Sequence, residues 1–211
     1  FRPRIWYNEN LISSKFLIPG LIGLILVLTA VVSTSLTVVR EKETGTMEQI
    51  VVSPLRPLQL ILGKTFPYLM ISLVAATAIL VIGYFLFDIV ITGSLVLVYG
   101  AITIMIIGAL GQGLLISSVT DSQQVAFMMA IFSSLLPSFI LSGFVFPIAS
   151  MPAALQVISN LAVAKFFLVI IRSVMLKGAG LGAVWPEFLS LLAFAVATIG
   201  ISAVRLGRRT E

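Results

Sequence analysis

The 211-residue sequence contains neither cysteine nor histidine. Without cysteine there is no disulfide and no thiolate; without histidine the commonest metal ligand and general base is missing. Charge is scarce too, with 10% of residues Asp, Glu, Lys or Arg against 59% hydrophobic, and a mean hydropathy of +1.17. A water-facing domain carries about 25% charged residues, so lipid must cover much of this chain. The thirteen basic residues exceed the eight acidic ones, but they are scattered and form no aromatic-interleaved patch, which argues against nucleic acid. Basic residues flanking apolar runs are the ordinary membrane pattern. The sequence opens at Phe1 with Arg2 and Arg4 before a polar stretch, and is expected to be a piece of a longer polypeptide.

Five apolar runs are long enough to cross the ~30 Å hydrocarbon core as helices. They lie at about 16–39, 66–87, 95–119, 125–146 and 187–205. The first ends abruptly in Arg40-Glu41-Lys42-Glu43, and the last is closed by Arg205, Arg208 and Arg209. The expected fold is therefore all-α, a polytopic membrane helix bundle. Between the last two spans, Ser150-Met151-Pro152 reads as a helix start. The run Leu161–Leu176 then carries Lys165 and Arg172 on one helical face. Its reach of about 24 Å and its two charges predict short outer re-entrant helices over 150–178, a sixth span being the alternative. Five spans put the two ends of the sequence on opposite faces. With the Arg40 loop and the carboxyl end inside, seven basic residues lie inside and six outside, a weak bias. The arginines closing the last span favour a cytoplasmic carboxyl terminus.

The segment 40–57 carries the most information. Thr46 and Gln49 have capping-box spacing, so a helix is expected to start at Thr46. Met47, Ile50 and Val51 would then share one face, with Glu48 off it. Such a short amphipathic helix fits a solvated loop with interfacial anchors, and fits equally a rigid elbow that takes force from a soluble partner.

The string REKETGTMEQIVVSPLRPLQLILGK resembles the cytoplasmic elbow of ABC-2 transporter permeases of the multidrug-exporter kind. The resemblance continues in FLIPGLIG, in Thr120-Asp121-Ser122-Gln123-Gln124 and in LSGFVFPIASMP, ending near Gly178. It implies a permease of the plasma (inner) membrane that dimerises, with a second copy or a paralogue, on ABC ATP-binding subunits. ATP and magnesium would be held by those subunits, with no cofactor in this chain. The elbow residues Arg40, Glu41, Lys42, Glu43, Gly45, Thr46, Glu48 and Gln49 would couple to the ATPase. It also implies that a first span and an extracytoplasmic domain precede this chain in the whole protein. One departure stands out: the asparagine of a family stretch survives as Asn160, but its proline and tyrosine do not.

Gly63-Lys64-Thr65 mimics the tail of a phosphate-binding loop, but Leu58 stands where that loop needs glycine. Polar residues inside the spans are few. Thr29, Ser33 and Thr37 share a face of the first, while Ser134, Pro137 and Ser138 cluster in the fourth. These are candidates for a substrate path, although such hydroxyls usually bond their own backbone. Gly108, Gly111 and Gly113 are expected to mark a close helix contact. No ionisable residue lies well inside a span, so a proton relay is missing. A transport subunit driven by a partner is the expected function, exporting an amphipathic or lipophilic compound. An ion-coupled transporter or channel, or a scaffold without transport, are the alternatives.

Overall fold

A computed structural model describes residues 13–46, 57–88, 90–145 and 148–207. Every regular element among them is a helix, with no strand among the described residues. In hydrocarbon every backbone N–H and C=O needs an internal partner, and a helix supplies one within each segment.

Helix α1 spans Ser13–Glu43 and runs through the charged turn without a break. Helix α2 spans Pro57–Phe87, starting nine residues before the apolar run expected at 66. It stops at Asp88, whose φ of 49° is left-handed, a conformation aspartate tolerates better than most residues. Helix α3 spans Leu95–Val119 and is followed by extended Thr120. Helix α4 spans Gln123–Leu136 and continues as one π turn, Pro137–Leu141. That helix ends at Leu141 rather than at the 146 expected from hydropathy, and Gly143, with φ of 80°, redirects the chain. A 3-10 turn, Ile148–Ser150, leads to the short α5, Ala153–Ile158, where Pro152 rather than Ser150 occupies the cap. Helix α6 spans Val163–Lys177 and helix α7 spans Leu181–Gly207. Five of these helices are long and apolar enough to cross a membrane; α6 is not one of them.

Helix α3 is the hub, packed against α1, α2, α4, α6 and α7. Its buried side chains Ile102, Met105, Ile106 and Leu110 meet Ile22, Leu26 and Val31 of α1 in one continuous core. The short helix α6 buries Phe167, Ile170, Ile171 and Val174 at helical spacing, and so docks into the bundle by one face. Along α1, Gly20 abuts the ring of Phe144 and Gly23 abuts Phe167, while Val27 shares a cavity wall with Val163. Helix α6 therefore starts inside the bundle and runs antiparallel to α1. At its other end Gly178 (φ 63°) closes it, its N–H donating to Val174 at 3.2 Å and that of Ala179 to Ser173 at 3.1 Å. There the α2–α3 loop lies against it, with Thr92 donating from its N–H and its hydroxyl to the Met175 carbonyl at 3.2 and 2.7 Å.

Candidate coupling site and interior cavity

Where α1 emerges from its apolar run, three consecutive charges reach three different helices. Glu41 pairs with Lys64 in the second turn of α2. The ammonium of Lys42 donates to the Ser117 carbonyl and to the Thr120 carbonyl (2.9 Å), with Asp121 at 3.6 Å. Those carbonyls belong to the end of α3, where backbone acceptors outrun donors and the helix dipole is negative. Glu43 accepts from the backbone N–H of Gln123 at 2.7 Å and from its side-chain amide. Gln123 is the first residue of α4, where the dipole is positive. The two bonds from Gln123 hold the Glu43 carboxyl below its ordinary range. One turn of α1 thus caps both sides of the Thr120-Asp121-Ser122 corner, each with the charge that end of the helix favours.

The remaining expected coupling residues point elsewhere. Arg40, Gly45 and Thr46 are exposed. The helix ends in a turn at Gly45 (φ 73°), tied back by the Thr44 hydroxyl to Arg40 at 2.9 Å and the Thr46 hydroxyl to Glu41 at 3.1 Å. Glu48, Gln49 and the amphipathic helix expected over them lie outside the described residues.

The two sets of polar residues proposed for a substrate path are not brought together. Thr29 is exposed and bonds its own helix at Ile25, 2.8 Å. Ser33 is half-buried, and Thr37 bonds both the Ser33 carbonyl (2.8 Å) and the Tyr68 hydroxyl of α2. Ser134, Pro137 and Ser138 instead line a cavity of about 210 Å³ that α1, α3, α6 and α7 complete. Pro137 has no N–H, so the Ser133 carbonyl one turn back loses its helical donor. Gln112 of α3 donates to that carbonyl at 3.1 Å.

The glycines of α3 serve two different contacts. A methyl group at Gly108 would come within 3.0 Å of the Phe194 ring, and one at Gly111 within 2.5 Å of Thr198 Oγ1, both on α7. At Gly113 it would meet the Val31 carbonyl of α1 at 2.7 Å. The close approach lets Thr198 donate to the Gly108 carbonyl at 3.2 Å and Ser202 to the Gly111 carbonyl at 3.0 Å. Sequence reasoning passed over Gln112, Thr198 and Ser202. The signal was present: Thr198 and Ser202 stand four apart on the last span, and Gln112 sits between two of the glycines.

On the outer-helix segment, the Lys165 ammonium donates to Ser159 Oγ at 3.0 Å and to Asn160 Oδ1 at 2.6 Å. Arg172 donates to the Gly143 carbonyl at 3.1 Å. Both cations therefore bind the connection between α4 and α6.

The family described as ABC-2 family transporter protein matches residues 2–204. The chain is 39% identical over 206 residues to the probable multidrug ABC transporter permease YbhR of Escherichia coli K12, covering 98% of this chain and 55% of that protein. Against the probable multidrug ABC transporter permease YbhS of the same organism, identity is 33% over 208 residues, covering 99% and 55%. ABC transporter G family member 20 of Dictyostelium discoideum is 28% identical over 211 residues, covering 99% of this chain and 29% of its own. The chain thus spans about half the length of the bacterial relatives.

Proposed function

This chain belongs to the ABC-2 transporter family, and from that premise we propose that it is the membrane-embedded part of an exporter's permease subunit. The cargo would be an amphipathic or lipophilic compound, and a separate ATPase subunit would supply the power. The observation that carries the reading is the family match across residues 2–204, and relatives named as probable multidrug permeases agree with it. The charged end of the bundle supports it further. Helices α1, α2, α3 and α4 are tied together there by Glu41, Lys42 and Glu43, and Arg40 and Thr46 are left exposed beside them. A force applied to the elbow at this point would be passed to four helices together.

In this reading the elbow 40–57 and the carboxyl end are cytoplasmic, and the permease pairs with a second copy or a paralogue in the plasma membrane. Helices α5 and α6 re-enter from the outer face. The test is reconstitution of the whole permease in vesicles with and without the ATPase subunit. ATP-dependent export of a lipophilic dye that needs both proteins is expected. Export driven by an ion gradient with the ATPase absent would overturn the reading in favour of secondary transport.

A further inference from the structure

The cavity between α1, α3, α4, α6 and α7 has a composition that limits what it can hold. No charged side chain lines it, so an ion there would lie desolvated and without a counter-charge. Its apolar wall comes from Val27, Leu115, Val163 and Phe194. Its polar side is formed by Gln112, Ser133, Ser134, Ser138 and Thr198, and of these Gln112, Ser133, Ser134 and Thr198 already donate to backbone carbonyls. Ser138 is 5% exposed and lines the cavity, and its hydroxyl has no hydrogen-bond partner among the described residues. The π turn that begins at Pro137 accompanies this. One turn earlier, Ser134 still bonds back to the Ala130 carbonyl at 2.5 Å. Helix α6 supplies the second donor source, because Ala162 and Val163, at its amino end, form part of the wall. The first N–H groups of a helix have no partner in their own turn, and the dipole there favours an acceptor. Lys165 N–H already bonds the Ala162 carbonyl at 3.0 Å and Ala162 N–H the Ser159 carbonyl at 3.1 Å, which leaves Val163, the lining residue at the first helical position, as the backbone donor at the wall.

We propose that this cavity is a binding site for an uncharged acceptor oxygen, a ketone, ester or quinone carbonyl, on a lipophilic molecule. The Ser138 hydroxyl and the amino end of α6 donate to the oxygen, and the hydrocarbon part lies against Val27, Leu115 and Phe194. An apolar cavity of about 150 Å³ admits benzene. The space here, about 210 Å³ and open on one side, has room for a ring bearing one small carbonyl substituent, which would be the polar head of a larger cargo. Only the identification of that molecule as cargo rests on the transport reading; the binding itself does not.

Three probes of one ring size separate the possibilities: acetophenone, its isostere isopropylbenzene, and benzoate. Their affinities would be measured by calorimetry on the intact permease in lipid nanodiscs, with the acetophenone carbonyl stretch as a direct hydrogen-bond reporter. Acetophenone is expected to bind about five- to tenfold tighter than isopropylbenzene, with a saturable, red-shifted carbonyl band. Ser138→Ala is expected to remove most of that preference and the shifted band, while leaving isopropylbenzene affinity unchanged. Equal affinities for the ketone and the hydrocarbon would overturn the proposal, as would tighter binding of benzoate. A preference that survives Ser138→Ala with its shifted band intact would overturn it too. If Ser138→Ala does not fold, the wild-type comparison of the three probes still decides. Selective acetophenone binding without any ATP-driven export would sink the transport reading and leave the site standing.

Discussion

Gln112 of α3 donates its side-chain amide to the Ser133 carbonyl of α4 at 3.1 Å, the acceptor that Pro137 strips of its helical donor. A carbonyl without a donor is costly in lipid, so the bond ties α4 to α3 at the point where the helix ladder is interrupted. Gln112→Leu is expected to lower stability by about 0.5–1.5 kcal/mol. In a Pro137→Ala background the Ser133 carbonyl regains a helical N–H, and the same change is expected to cost much less. A double-mutant cycle on melting temperature in detergent checks this. Equal costs in the two backgrounds would mean the pair is incidental.

Gly111→Leu is expected to be far more damaging than a lipid-facing change such as Gly200→Leu. A side chain at Gly111 collides with Thr198 and Ile199, whereas a Cβ at Gly200 meets nothing within 4 Å. Spreading α3 from α7 also breaks the Thr198–Gly108 and Ser202–Gly111 bonds. Yield and thermal stability of folded protein would show the contrast. Similar behaviour of the two variants would mean that α3 and α7 do not depend on this contact.

Much of this was legible in the sequence because lipid imposes a simple rule on it. Runs without charge became helices, and the charged turn after Val39 and the left-handed Gly178 fell where composition suggests. The shortfall of the fourth helix at Leu141 was not legible. Hydropathy reads Phe144, Val145 and Phe146 as more span, but Pro137 has already loosened the helix into a π turn and Gly143 completes the reversal. The fate of Glu41, Lys42 and Glu43 was hidden for a different reason. A charge run looks solvated when its partners lie 23, 78 and 80 positions away along the chain.

Lys177 ends α6, and Arg205 lies near the end of α7. Twenty-seven residues of helix extend about 40 Å, so α7 separates the two positions by the thickness of a membrane. Single cysteines at these positions, in a chain that has none of its own, are expected to react with an impermeant thiol reagent from opposite sides. Labelling of both from one side would mean that α7 does not cross, and the five-span topology would fall.

The last prediction separates the charges that hold the bundle together from those that could meet an ATPase. Lys42 is largely enclosed, its side chain 12% exposed, and it caps carbonyls at the end of α3. Lys42→Met removes that cap and its ion pair with Asp121. It is expected to lower stability by about 1–2 kcal/mol and to lower export and ATPase activity only as far as folded protein is lost. Arg40 is exposed on the same turn, and among the described residues its backbone carbonyl alone is engaged there, by the Thr44 hydroxyl and N–H. Arg40→Glu therefore breaks no side-chain contact among the described residues and is expected to cost only the ~0.3–1 kcal/mol of an acidic residue in the last turn of a helix. A like-charge clash at a partly desolvated subunit contact can cost a few kcal/mol, so the same change is expected to abolish substrate-stimulated ATPase activity. Melting curves and ATPase assays on both variants, with the ATPase subunit supplied in excess, give the comparison. Full stimulation by a stable Arg40→Glu protein would place the coupling contact away from this turn, and the Glu41–Lys42–Glu43 cluster would then be a structural brace alone.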